Sequence, residues 1–576
     1  MSMKQLFWTW SILLTLCIGA SGRIHAQNIA EIAKRDPLIV TGSVGTQNTY
    51  RYSSLGNGYG SPFSSSVYAN LNISLYGFNM PFSLYYTSDN YNFSYPHLTF
   101  NLTPTYKHWT GHLGLSSMTM SSYVMNTSFY GVGVEYQSDR LRAGFFYGRF
   151  REAINDNPDD PFARSPQYKR MGWGMKVGYG TQRNFLDLYF LKAYDRPNSL
   201  NEAWRAQLPP QENLAVALKG CLTLSRYLSL TANVAMSLIN TDMEAPKIHS
   251  AETDNTLWGN VFDVRYSTLA RFAGDATLNL RMGSVSASLV YRMVQPDYTS
   301  MGVSYMSNNY QSMGLHLSTH LLKVVSLTGN CSLQQDNLTN RQLYTTRGVV
   351  YSLSANTRLS SHFNLNAACN GYTQKQYDGT ARVNDSTRVN RCMQSFTLTP
   401  SAHFDSQRLG HAASLSLCLS SNKDLNPYAT GISDVTTIAL GSCYSLTVKP
   451  WAMTFTLSLN HQQSKGYKTK YSSDIASLTT SRSFLQAHNL NLSATLSLCR
   501  NEVQRQSKNL SIGGDLQAGY TLHRDHVFSA SASFYKYGDV NITKTRSNLD
   551  CTDVTLSLNY AYTFSLFEIH SKKKNL

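Results

Sequence analysis

The residues whose types and spacing come nearest to chemistry are His316 and His320, with Ser318 between them. On an extended strand all three fall on one face, and about 3.3 Å per residue sets the imidazoles roughly 13 Å apart. That is too far for one metal ion or one Ser-His relay, so the expectation is polar wall residues. No G-x-S-x-G, H-E-x-x-H or phosphate-cradling glycine loop occurs in the chain. The acidic run Asn155-Asp156-Asn157-Pro158-Asp159-Asp160 has carboxylates for Ca²⁺. It lacks the roughly 12-residue ligand register and reads as a solvated loop. Beyond Cys17 the cysteines are Cys221, Cys331, Cys369, Cys392, Cys418, Cys443, Cys499 and Cys551, none in a C-x-x-C pair. They read as small side chains on strand faces; an oxidising compartment allows disulfides, whose pairing the sequence does not give. The chain is therefore expected to be no enzyme, with no cofactor and no metal ligand.

The elements that must carry these residues are strands. The stretch WAMTFTLSLN at 451–460 sets Trp451, Met453, Phe455, Leu457 and Leu459 on one face, and Thr454, Thr456, Ser458 and Asn460 on the other. The same alternation recurs at 228–238, 285–293 and 490–498. Each run is close to the 9–11 residues that a tilted strand needs to cross a bilayer. In a soluble sandwich the apolar face packs a core, whereas in a membrane barrel it meets lipid and the polar face lines a lumen.

The connections decide between the two. Twelve are short, from Gly77-Phe78-Asn79 and Lys107-His108 to Lys449-Pro450 and His523 to His526. Those between them are mostly long and polar, such as 152–167, 240–267 and 374–390. Short turns at one end and long loops at the other are the habit of outer-membrane barrels. Twelve short turns predict one large antiparallel transmembrane β-barrel, all-β, of about 26 strands (24–26), with short periplasmic turns and longer extracellular loops.

Composition agrees. Only 15 % of the 576 residues are charged, and the chain holds 37 Tyr. Residues 1–26 read as a secretory signal peptide, with Lys4 before a mostly apolar Leu6 to Ala20 and Ala26 at the cleavage point. Leu16 before Cys17 is too large for a lipoprotein site. No later run of 18 apolar residues remains for a membrane helix. The expected organisation is a signal peptide at 1–26, a short periplasmic segment at 27–37, the barrel at 38–564 and a basic periplasmic tail at 565–576. Eleven residues before the first strand are too few for an N-terminal plug domain. The net charge of +16 fits anionic solutes or membrane better than nucleic acid, which an exported chain does not meet.

The last predicted strand, VTLSLNYAYTF at 554–564, resembles the C-terminal signal read by barrel-assembly machinery, although the tail SLFEIHSKKKNL follows it. Residues 98–150, with YKRMGWGMKVGYG at 168–180, PDYTSMGVSYMSN at 296–308 and DNLTNRQLYTTR at 336–347, resemble a family of outer-membrane β-barrel proteins of Bacteroidota. The resemblance implies the barrel class and carries no activity and no functional residues.

Strand parity places Lys176, Asp187, Lys219, Asp275, Arg281 and Arg292 inside the barrel. There they either set ion preference or pair across the lumen. About 26 strands enclose a wide interior that something must fill: inward-folded loops, a partner protein or a flattened section. The function expected first is a transport pore with a polar, somewhat basic lumen. The alternative is a non-catalytic scaffold or translocation partner in a larger outer-membrane assembly. The expected partners are outer-membrane lipid, barrel-assembly machinery and a lumen-filling or envelope protein.

Overall fold

The computed structural model describes residues 38–569 except 57–60, 89–97, 157–163, 249–260, 322–323, 430, 485–488, 505–506 and 540–550. The expected signal peptide, the segment 27–37 and residues 570–576 of the tail lie outside the described residues.

Period-two patterning yields one closed antiparallel sheet. The strands are β1 (Leu38–Ser53), β2 (Phe63–Leu75), β3 (Phe78–Thr87), β4 (Leu98–Leu102), β5 (Thr105–Tyr106), β6 (Trp109–Ser116), β7 (Phe129–Gln137), β8 (Leu141–Arg151), β9 (Arg170–Gly180) and β10 (Phe185–Asp195). They continue with β11 (Glu212–Thr223), β12 (Leu228–Asn240), β13 (Thr268–Met282), β14 (Val285–Val294), β15 (Tyr310–Leu321), β16 (Val325–Asp336), β17 (Tyr344–Arg358), β18 (Phe363–Asp378) and β19 (Asn390–Asp405). The last are β20 (Leu409–Asp424), β21 (Val435–Val448), β22 (Met453–Gly466), β23 (Thr469–Phe484), β24 (Leu490–Val503), β25 (Ser507–Leu522), β26 (His526–Asp539) and β27 (Cys551–Ile569). Sequential neighbours pair antiparallel, and β1 pairs with β27 from Leu38↔Ile569 to Ser53↔Asp553, which closes the barrel.

Among the 27 strand segments, β4 and β5 are two pieces of one crossing, broken at Thr103-Pro104. Pro104 has no N–H to give to the ladder. The chain bulges there, and the Pro104 carbonyl accepts from Gly111 N at 2.7 Å. One crossing fewer gives 26 strands, the expected number.

Two boundaries differ from expectation. Trp451 is not in a strand: Lys449–Trp451 forms a 3-10 turn, Ala452 has φ 47°, and β22 starts at Met453. Pro450 fixes its own φ and removes a donor, so the ladder cannot begin until the chain has turned. Strand β27 runs five residues past Phe564 to Ile569, because β1 offers partners down to Leu38.

Register fixes the faces, since directly opposite residues point the same way. Large apolar side chains such as Leu188, Leu218, Val234, Leu315, Leu353 and Leu457 are exposed on the outer face. The buried apolar cluster lies on the inner face of β7, β8 and β10 to β14 and in two connections folded against it. Among the described residues no helix is long and apolar enough to cross a membrane.

All eight cysteines of the barrel are free thiols. Cys221, Cys418, Cys443, Cys499 and Cys551 share the inner face with Lys219, Ser414, Ser473 and Asp553 by register, whereas Cys331, Cys369 and Cys392 lie on the outer face. A membrane-impermeant charged thiol reagent is therefore expected to label the first five in intact proteoliposomes. The last three should react only with an apolar maleimide, and mass mapping that found the two sets mixed would refute the assigned faces.

Candidate functional site: the lumen wall and its inner shelf

Two long-side connections turn inward. Residues 117–128, between β6 and β7, bury Met118, Met120, Tyr123, Val124 and Met125. Residues 295–309, between β14 and β15, bury Tyr298 and Met301 against them. The wall below is unusually smooth: Ala217, Ala235 and Ala273 are successive neighbours across β11, β12 and β13. Methyl groups where other strands carry Ser or Thr let a loop lie on the sheet without orphaning hydroxyls.

Polar contacts pin the shelf at both ends. Met125 and Gly302 form a parallel bridge, and Asn126 N donates to Gly302 O at 3.0 Å. Ser300 Oγ donates to Val124 O at 2.6 Å, and Tyr298 Oη donates to Tyr123 O at 2.9 Å. The wall reaches up as well. Ser121 Oγ donates to Asn233 Oδ1 at 2.9 Å, Ser237 Oγ donates to Thr299 O at 2.5 Å, and Asn213 Oδ1 accepts from Met301 N at 3.1 Å. Buried polar groups paired in this way favour one arrangement. The shelf is thus a fixed part of the wall. Its free face carries the exposed polar residues Thr119, Ser122, Asn126, Thr299 and Ser304, together with the exposed ring of Tyr305.

Beside the shelf runs a row of charges. Arg142, Gly178, Asp187, Lys219, Asn233, Asp275 and Arg292 are consecutive register partners from β8 to β14. The signs alternate along it. Arg142 donates to Asp187 Oδ1 from Nε at 3.0 Å and from Nη2 at 2.7 Å. These two residues are on β8 and β10, and the strand between them contributes Gly178. A Cβ there would stand 1.9 Å from Asp187 Oδ1, so only glycine lets the pair reach across. The neighbouring row repeats the device: Lys176 of β9 bonds Glu135 of β7 across Gly144 of β8. His112 Nε2 lies 3.1 Å from the same Glu135. Two acid–base pairs therefore bridge alternate strands over an intervening glycine.

Of the six expected lumen residues, the structure brings Asp187, Lys219, Asp275 and Arg292 into one row, with Lys176 on the next row beside Tyr189. It sets Arg281 apart at the short-turn rim, one residue from the end of β13, opposite Ser286. Parity in the sequence missed Arg142 and Glu135, the partners that neutralise Asp187 and Lys176. Only the register shows them, because each lies two strands away.

The opposite wall carries hydroxyls. Thr456, Thr479 and Thr495 are register neighbours across β22 to β24, and Thr479 Oγ1 and Thr495 Oγ1 lie 3.0 Å apart. His316 and His320 share the inner face of β15, where His316 Nδ1 contacts Asn330 Oδ1. No third ligand joins them: among the described residues no group of three His, Cys, Asp or Glu could hold a metal ion. In the acidic loop Asp156 is taken by Arg164, which holds its carboxyl down at about 2. Residues 157–163 of that loop lie outside the described residues.

No family model matches the chain, and no curated protein matches it. Several solved barrels match in part. Acinetobacter baumannii OccAB3 is 11 % identical with a TM-score of 0.31, over 68 % of this chain and 99 % of that one. Pseudomonas aeruginosa OccK9 (OpdG) is 12 % identical with a TM-score of 0.30, over 68 % and 98 %. The P pilus usher (PapC) translocation pore is 10 % identical with a TM-score of 0.36, over 91 % and 100 %. At these values the likeness carries no argument, and the barrel rests on its own strand pairing.

Proposed function

We propose that this chain is an outer-membrane transport pore, exported by a cleaved signal peptide at 1–26 and inserted by barrel-assembly machinery. The observation that carries the reading is the one-sided lumen. The shelf packs against β7, β8 and β10 to β14, while the hydroxyl-lined face of β15 to β27 has no such cover among the described residues. A path bounded by polar groups on both sides is what a pore needs. The resemblance to outer-membrane barrels of Bacteroidota supports the same placement.

The row of paired charges sets the expected selectivity. Ion discrimination needs uncompensated charge of one sign near the path. Arg142, Lys219 and Arg292 outnumber Asp187 and Asp275 by one, and Arg281 at the rim adds another base. Along this row the lumen is somewhat basic but mostly compensated, and a weak anion preference is expected. Planar-bilayer recording of the purified, refolded protein tests this. Stable conductance steps with a weak anion preference support the pore, and a correctly folded but silent barrel refutes it.

A second reading keeps its place because of the long-loop side. Tyr305 (80 % exposed), Tyr266 (77 %) and Ile432 (70 %) stand out in those loops. They stand on three separate connections and form no contiguous patch by themselves, but a protein seated on that side would cover them. A scaffold or translocation partner of an envelope protein would use them, and a silent barrel that co-purifies with one stable protein would establish that reading instead.

A further inference from the structure

The chain's excess base does not lie mainly in the lumen. On the outer face of the barrel, near the long-loop ends of the strands, cations recur: Arg347 on β17, Lys375 on β18, Lys423 on β20, Lys465 on β22 and Lys470 on β23. All five are exposed. Arg347 and Lys375 are direct register partners, and so are Lys465 and Lys470. Like charges directly opposite on one face destabilise a sheet. Among the described residues no acidic side chain forms an ion pair with any of the four.

The first pair heads a shaped concavity. A depression of about 760 Å³ is lined by Arg347 and Lys375 together with Gln311, Gln335 and Tyr377, and by Met313, Leu333 and Val349. Both cations lie over the same ring, Arg347 at 5.0 Å and Lys375 at 5.5 Å from the Tyr377 centroid. Cations, carboxamides and a phenol frame one end, and an apolar floor on the lipid side lies with them.

We propose that this depression binds a membrane lipid with a phosphate-bearing headgroup in the outer leaflet. The phosphate sits between Arg347 and Lys375 and removes their mutual repulsion. One acyl chain lies along Met313, Leu333 and Val349. The Lys465–Lys470 pair is a second, shallower contact of the same chemistry. The inference rests on the outer-membrane placement proposed above, but not on whether the barrel conducts.

The test uses the refolded full chain in phosphatidylcholine vesicles doped with either phosphatidic acid or diacylglycerol of the same acyl chains. The barrel is re-extracted in mild detergent, and retained lipid is weighed by mass spectrometry. Phosphatidic acid should be retained and diacylglycerol should not. The double variant Arg347→Gln/Lys375→Gln should retain about 25-fold less, at about fivefold per cation. Arg482→Gln, on the same outer face at the opposite strand end, should retain the lipid as the native chain does. Equal retention by the double variant, or equal retention of diacylglycerol, overturns the proposal. Displacement by millimolar inorganic phosphate also overturns it, in favour of a free-anion site. Heat-modifiable gel mobility confirms that each variant is folded. Conductance of the double variant separates the two readings: a conducting barrel without bound lipid loses only this inference, and a chain soluble without detergent loses the membrane placement itself.

Discussion

Replacing residues 118–126 and 297–308 together by short glycine links is expected to raise single-channel conductance by at least about twofold, because the current through a wide pore follows its open cross-section. The two segments support each other through the Met125–Gly302 bridge and the Tyr298 and Ser300 hydrogen bonds. Removing one alone would strand the apolar half of the other. Removing both leaves the walls intact, since every strand keeps its ladder on both sides. The cost falls on the wall beneath: Ala217, Ala235 and Ala273 bear exposure cheaply, but Phe146, Tyr189 and Leu191 then also meet water, so stability should fall while the ladders hold. Unchanged conductance in a correctly folded variant would mean that the shelf does not bound the path.

Asp187→Asn is expected to turn a weak anion preference into a strong one. Asp187 is the one acid between Arg142 and Lys219 in the charge row, and its loss leaves two neighbouring bases uncompensated. Stability should fall too. Breaking a buried pair costs about 3–5 kcal/mol, but these side chains keep 20 % and 12 % exposure in a watery lumen, so about 1–3 kcal/mol is expected. Reversal potentials under a salt gradient measure the first effect, and the temperature of the gel-mobility shift measures the second. Gly178→Ala is the companion variant. Its Cβ would drive the Asp187 carboxylate off Arg142 while keeping every charge in place. It should lose stability with a smaller change in selectivity. Equal selectivity shifts in both variants would show that the ion pair itself, and not net charge, governs permeation.

The barrel was legible in the sequence because its two determinants are local. Period two assigns faces within one strand, and Gly, Pro, Asn and Ser clusters mark the turns. Hairpin counting then reached 26 strands, although the Pro104 break and the 3-10 turn at Lys449–Trp451 moved particular ends. The inner shelf was legible only as a need, since nothing in Ser117 to Ser128 says whether a polar-apolar segment turns into the lumen or out over the rim. Its trace in the sequence is the run of inward alanines in β11 to β13, a signal that gains meaning once register lines them up. The pairing of Lys176 with Glu135 and of Asp187 with Arg142 was not legible at all. It depends on which glycine lies between two strands that are not neighbours.

The seam between β1 and β27 governs how the molecule is made. Its two strands stand some 500 positions apart along the chain (Thr49 Oγ1 contacts Ser557 Oγ, 508 residues on), and their ladder runs the whole length of β1. Among the described residues every other strand ladder joins neighbouring crossings and can form as each hairpin emerges. This one waits for the final strand, so until then the growing sheet carries two unpaired edges, each able to zip onto another polypeptide. Assembly is therefore a race between ring closure and edge-to-edge capture. The closing strand sets the finish, so the time the β1 edge stays open bears on yield as well as the contacts inside the finished wall.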